Sequence, residues 1–206
     1  MKSISGTIAR ALWNNGIIQE EDIDTCRYGL DIFISSAIEI VSILFIAFFV
    51  GNFYETFLFF LAFTPLRIYA GGYHANTKMR CYLISLGVYC LFTIITSMLS
   101  QETYWMINLI STLFSMSIVL ILAPVIHKNK YINQIELKFY RKISILICLM
   151  ETLIILLLTV IFPKSPYIVS LAIGQTSVTF SMTSERVKGK LTDNKISKLK
   201  KTEGGV

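Results

Sequence analysis

The sequence predicts an all-α, polytopic membrane protein with about six transmembrane helices in a single domain spanning 1–206, and three observations carry that reading. Apolar runs of roughly 16–23 residues recur along the chain, and about 20 helical residues cross a bilayer core of about 30 Å. Although 54% of the 206 residues are hydrophobic, the charged ones are confined to short patches between those runs. No ten-residue alternating pattern suggests a barrel, and lipid cannot satisfy open backbone groups, so the spans must be helices.

The elements follow in order. Ile4, Ile8, Ala11 and Leu12 fall at helical spacing beside Trp13, which predicts an amphipathic helix on the membrane surface within a cytoplasmic segment 1–29. Asn14-Asn15-Gly16 ends it. Gln19-Glu20-Glu21-Asp22 then places acids in the first turn of the next helix, where the helix dipole favours them, and that helix runs on into the first span. The spans are read as Ile32–Val50, Phe53–Leu66, Tyr82–Ser100, Tyr104–Ile126, Ile143–Phe162 and Tyr167–Met182. Gly51-Asn52 suits a tight hairpin between the first two, and Pro163 and Pro166 bracket the turn between the last two. Residues 184–206 read as a basic cytoplasmic tail, partly helical or disordered, held near anionic headgroups.

Charge sets the expected orientation. Of the nineteen Lys and Arg residues, only Lys164 falls on one side of a six-span arrangement. The positive-inside rule places the other side, with both termini, in the cytoplasm. The net charge of +6 is thereby a signal of topology and of anionic lipid partners, and nucleic-acid binding need not be invoked. The first thirty residues hold four acids and no apolar core of a cleavable leader. Cys26, Cys81, Cys90 and Cys148 all fall inside spans or at cytoplasmic edges, where thiols stay reduced. Two histidines and scattered cysteines cannot build a conventional zinc site, and no phosphate-binding loop is present, so neither a metal nor a nucleotide cofactor is expected.

The chemistry concentrates between residues 67 and 81. His74, one of two histidines, lies seven residues before Cys81, with Gly71, Gly72, Arg67, Lys78 and Arg80 around it. An imidazole that takes a thiol proton yields the reactive thiolate. On one straight helix the two Cα atoms would stand about 10.5 Å apart, too far for a hydrogen bond of about 3 Å. A direct pair therefore needs a bend. Gly71-Gly72 interrupts the incoming helix, and Asn76 or Thr77 is a suitable cap for the helix that carries Cys81. Positive potential there lowers a thiol pKa, while apolar burial raises it.

The stretch Arg67-x3-Gly71-Gly72-x-His74-Ala75-x5-Cys81-Tyr82 closely resembles the signature of the accessory gene regulator B (AgrB) family, membrane peptidases that process the precursor of a bacterial quorum-sensing peptide. The chain's size, its spans, its amphipathic start and the Ala123-Pro124 exit from the fourth span are similar too. The resemblance implies Cys81 as nucleophile, His74 as general base, and Arg67, Gly71 and Gly72 as supporting positions. It implies a short amphipathic, AgrD-like precursor peptide as partner, cleaved near its C-terminal end through a Cys81 thioester. A thiol or hydroxyl of the retained part then closes a thiolactone or lactone. Arg67 serves either as an oxyanion stabiliser or as a headgroup anchor.

Three acids lie in or beside spans: Asp31, Glu39 and Glu151. Ionisable groups at depth usually face a protein interior or wet cavity, which makes these three candidates for lining a substrate cavity. Asp31 is also near enough to the cytoplasmic face to orient His74. His127 reads as a solvated or headgroup-contacting residue. Small residues such as Ser35, Ser36, Ser111 and Ser115 allow self-association, for example as a homodimer. The alternative reading is a non-enzymatic peptide exporter or scaffold, with the glycines as a hinge and Glu39 and Glu151 along the path.

Overall fold

The computed structural model describes residues 4–72, 78–125 and 133–203, and all its named elements are helices. They are α1 (Ile4–Asn14), α2 (Ile23–Val50), α3 (Phe53–Ala70), α4 (Lys78–Met98), α5 (Tyr104–Leu122), α6 (Gln134–Ile161) and α7 (Pro166–Glu203), with single 3₁₀ turns before α2 and α5.

The breaks fall where local chemistry puts them. Gly16 (φ 70°) follows α1 and Gly51 (φ 86°) ends α2, both in the left-handed region that glycine enters without a Cβ clash. Ala123 leaves the helix at ψ 142° because the following Pro124 disfavours the α region at the residue before it. Consequently α5 stops at Leu122, four residues short of the expected Ile126. Pro166 opens α7 at the position where its missing N–H costs nothing.

Small residues dock α1. Ser5 and Ala9 are buried, and Ser5 Oγ donates to Asp31 Oδ1 on α2 at 2.8 Å. Ile4, Ile8 and Trp13 stay exposed on the remaining surface of this short helix, as an interfacial helix requires.

Around α7 the bundle is arranged with α3 and α5 as its main neighbours and α6 and α4 completing the ring. Gly174 permits the close approach of α3, since a Cβ there would overlap the Phe59 carbonyl. Leu66, Ala70, Val119, Cys148, Val178 and Met182 form a core shared by α3, α5, α6 and α7. Large apolar side chains such as Phe49, Ile121, Leu157 and Val160 cover the outer faces.

Among the described residues, three helical stretches are long and apolar enough to cross a membrane: Glu20–Val50, Gln101–Leu122 and Gln134–Ile161. In α4, Tyr82–Met98 is a shorter apolar stretch. The expected second and sixth spans correspond to α3 and α7, where Thr56 and then Ser170, Gln175 and Thr179 are buried against neighbouring helices. Beyond Met182 α7 continues unbroken to Glu203. Its Lys, Arg, Glu and Leu residues favour helix, no proline interrupts them, and Gly189 costs only about 1 kcal/mol.

The turns poor in Lys and Arg gather at one end. Tyr89 Oη donates to Asn52 Oδ1 at 3.0 Å, and Asn52 Nδ2 donates to Thr93 Oγ1 at 3.3 Å, tying the α2–α3 turn to the second half of α4. Lys164 pairs with Glu102, joining the α6–α7 turn to the α4–α5 turn. At the opposite end α3 and α5 finish side by side, where Gly71 and Val125 form an isolated parallel bridge.

Candidate functional site

The Arg67–Cys81 stretch begins at this opposite end. The last carbonyls of a helix have no partner inside it, and a buried one left unpaired is costly. Here two of them find donors beyond the helix end or from its cap. Arg67 O accepts from Gly71 N at 3.2 Å, and Ala70 O accepts from Val125 N at 2.9 Å. The Gly71 carbonyl, one residue further on, accepts from Arg67 Nη1 at 2.6 Å, a charge-assisted bond. The guanidinium thus bends back over its own helix end.

Both glycines are demanded by this geometry. Gly71 adopts φ 76°, ψ −150°, and a Cβ on it would collide with the Val125 carbonyl. Gly72 adopts φ 128° and is buried; a Cβ there would overlap Arg67 Nη1 and stand 2.9 Å from Ser181 Oγ on α7. The pair is a fixed, tightly enclosed exit from α3.

From Gly72 the chain enters residues 73–77, and it re-emerges at Lys78 as α4. His74, with the expected caps Asn76 and Thr77, lies outside the described residues. Cys81 is the fourth residue of α4, in its first turn, at the end where a helix dipole is positive. Lys128, Lys130 and His127 also lie outside the described residues.

The candidate acids occupy three different places. Asp31 accepts the Ser5 hydroxyl and so fastens α1 to α2. Glu39 is half-buried, four residues before buried Ile43 on the same side of α2. Glu151, in α6, keeps both carboxyl oxygens buried without a protein hydrogen-bond partner. Among the described residues no group of three or more His, Cys, Asp or Glu could hold a metal ion. Cys26, Cys90 and Cys148 are free thiols, with Cys148 fully buried.

A polar seam that the sequence reading passed over links α5, α6 and α7. Buried Gln175 donates through Nε2 to Cys148 O and Thr152 Oγ1, both at 3.1 Å. Asn108 Nδ2 donates to Thr159 Oγ1 at 3.1 Å, and Ser115 Oγ to Thr176 Oγ1 at 3.0 Å. Its signal was present in the apolar runs: Asn108-x3-Thr112 and Ser144-x3-Cys148-x3-Thr152 repeat at the helical period.

Similarity to known proteins covers nearly all of this architecture. The family described as Accessory gene regulator B matches residues 5–182. An AgrB-like protein of Clostridium perfringens (strain 13 / Type A) is 26% identical over 155 residues, covering 73% of this chain and 78% of the relative. No solved structure matches the chain.

Proposed function

Because the chain belongs to the accessory gene regulator B family, we propose that it is a membrane-embedded cysteine endopeptidase that cleaves a short precursor peptide and enables its cyclisation. The observation that supports this reading most is the placement of Cys81 in the first turn of α4, nine residues beyond Gly72, with His74 between them in sequence. On a continuous helix the two Cα atoms would stand about 10.5 Å apart, so the proposed pair requires a bend between residues 74 and 81.

In the proposed reaction His74 removes the Cys81 proton, and the thiolate attacks a carbonyl near the C-terminal end of the precursor. The tetrahedral intermediate collapses with rupture of the C–N bond, and His74 returns its proton to the leaving amine. The N-terminal portion remains as a thioester on Cys81. A thiol or hydroxyl of that portion then attacks the thioester, closing a thiolactone or lactone and releasing the Cys81 sulfur. Exchange of an amide for a thioester is uphill, so removal of the C-terminal fragment drives the sequence. The backbone N–H groups that open α4 are the oxyanion donors we assign.

The protein sits in the bacterial membrane with six spans, both termini and residues 67–81 on the cytoplasmic side, where cations and anionic lipids favour each other. Its partner is an amphipathic precursor lying on the same leaflet. An acidic tail on that precursor would complement the basic loops.

The test is cleavage in membranes of a precursor peptide with an amphipathic start, a central cysteine and an acidic tail. Cys81→Ala and Cys81→Ser should both lower cleavage at least a thousandfold while inserting normally. Cleavage by either variant at more than a tenth of the wild-type rate rejects the enzyme.

A further inference from the structure

We propose that the first two turns of α4, Lys78–Ser85, form an arm hinged at Gly87, which swings against the bundle while the outer half of the helix stays clamped. The motion is independent of the chemistry proposed at His74 and Cys81, and goes beyond it.

Helices in lipid gain little from burying apolar side chains against one another, because acyl tails are as apolar as leucine. Close packing and interhelical hydrogen bonds are what hold such a helix in place. On α4 both are concentrated between Tyr89 and Thr93. Tyr89 Oη donates to Asn52 Oδ1 at 3.0 Å, and Asn52 Nδ2 donates to Thr93 Oγ1 at 3.3 Å. Tyr89 and Phe92 are buried with Ile43, Ala47 and Phe59, and the Phe92 ring centre stands 5.0 Å from that of Phe59. Among the described side chains of α4 these two alone are buried. Toward α5 and α7 the outer half faces a groove of about 380 Å³, lined by Val88, Ile95, Leu99, Ile107, Ser111 and Phe180. The clamp therefore sits on the flank that faces α2 and α3.

The inner half has no comparable attachment. From Met79 to Val88 no described side chain is buried, and Met79, Leu83 and Ile84 are exposed. Arg80 has an interaction of its own at the tip, but its side chain is exposed, and exposed polar contacts contribute little. Among the described residues α4 meets α2 and α7 along short stretches, less than any other long helix meets its neighbours.

Gly87 stands at the joint, two residues before Tyr89. An added Cβ there would meet nothing within 4 Å, so no close approach requires a glycine. Glycine weakens a helix interior relative to alanine, and packing does not account for this one. Residues at the border of a fixed and a free segment are where hinges absorb motion. Nine residues separate Gly87 from Lys78, an arm of about 13.5 Å at the helical rise, so a bend of about 15° displaces the tip by about 3.5 Å. A swing of that size opens and closes the side of the bundle between α4 and α7 to the surrounding lipid.

Double electron–electron resonance on the full chain in lipid nanodiscs tests the hinge, with nitroxides carried by p-acetylphenylalanine so that the native cysteines stay. One label replaces Leu153 on α6, and the other replaces Leu83 in the arm or Ile94 in the clamped half, all exposed positions. In the wild-type background the Leu83 pair should give a distance distribution at least about twice as broad as the Ile94 pair. Gly87→Ala should narrow the Leu83 pair to about the Ile94 width and leave the Ile94 pair unchanged. Tyr89→Phe, which keeps the ring and deletes the hydroxyl that donates to Asn52, should broaden the Ile94 pair by about half. Equal widths in the wild-type background overturn the arm. A Leu83 width untouched by Gly87→Ala overturns the hinge at that residue, and an Ile94 width untouched by Tyr89→Phe overturns the clamp. Precursor cleavage is not read, so rejection of the peptidase leaves the arm standing, and rejection of the arm leaves the peptidase standing.

Discussion

Gln175 shows how single residues hold this bundle together. Its amide donates to the Cys148 carbonyl and Thr152 hydroxyl, while its own Oε1 has no hydrogen-bond partner in the protein. Half-satisfied polar groups in a dry interior contribute little net stability, and hydrogen bonds between membrane helices average about 0.6 kcal/mol. Volume should therefore outweigh polarity at this site. Gln175→Leu, of similar size, is expected to change unfolding free energy by less than about 1 kcal/mol, whereas Gln175→Ala, which leaves a cavity, should destabilise by about 2–3 kcal/mol. Denaturation of the purified chain in mixed micelles measures both. Arg67 is different in kind, because its charge-assisted bond closes the helix exit beside the proposed catalytic residues.

Helix against helix, close approach depends on where glycine stands. At Gly174 the Phe59 carbonyl leaves no room for a methyl group, and backbone cannot swing aside as a flexible side chain can. Gly87 of α4 has nothing within 4 Å of an added Cβ. Gly174→Ala should thus separate α3 from α7 and destabilise by about 1–3 kcal/mol. Gly87→Ala should be neutral or stabilise by up to about 1 kcal/mol, through helix propensity alone. Thermal melting of the two variants in the same detergent decides the sign. A hairpin of opposite character stands at Gly51, where left-handed backbone is required but space is open. There the penalty of alanine is conformational strain without collision.

For the whole molecule, the charge-poor turns share one end and the Gly71–Val125 bridge lies at the other. The Lys164–Glu102 pair that marks the first end is largely exposed, so it identifies neighbours without adding much stability. Sidedness follows from the cations. A membrane-impermeant thiol reagent applied to intact cells is expected to label Gln101→Cys, and to label Gly16→Cys only after permeabilisation. The opposite pattern would invert the proposed topology and move residues 67–81 outside the cell.

Most helix positions, the breaks at Gly16, Gly51 and Pro166, and the His–Cys motif were legible in the chain, because each is written in residues adjacent or a few helical turns apart, whereas the span read to Ile126 overran the stop before Pro124. The length of α7 was less so, since no local stop signal fixes where a lysine-rich helix ends. Sequence by itself determined the helices, the resemblance of residues 67–82 to a peptidase signature, and the segregation of charge. Tertiary structure alone decided that α7 packs chiefly between α3 and α5, that Arg67 turns back on Gly71, that Asp31 holds α1, and that Val125 meets Ala70. The physical reason is range. Periodicity and turn chemistry act over a few residues, but a hydrogen bond between positions 70 and 125 exists only once packing has brought the ends of α3 and α5 together.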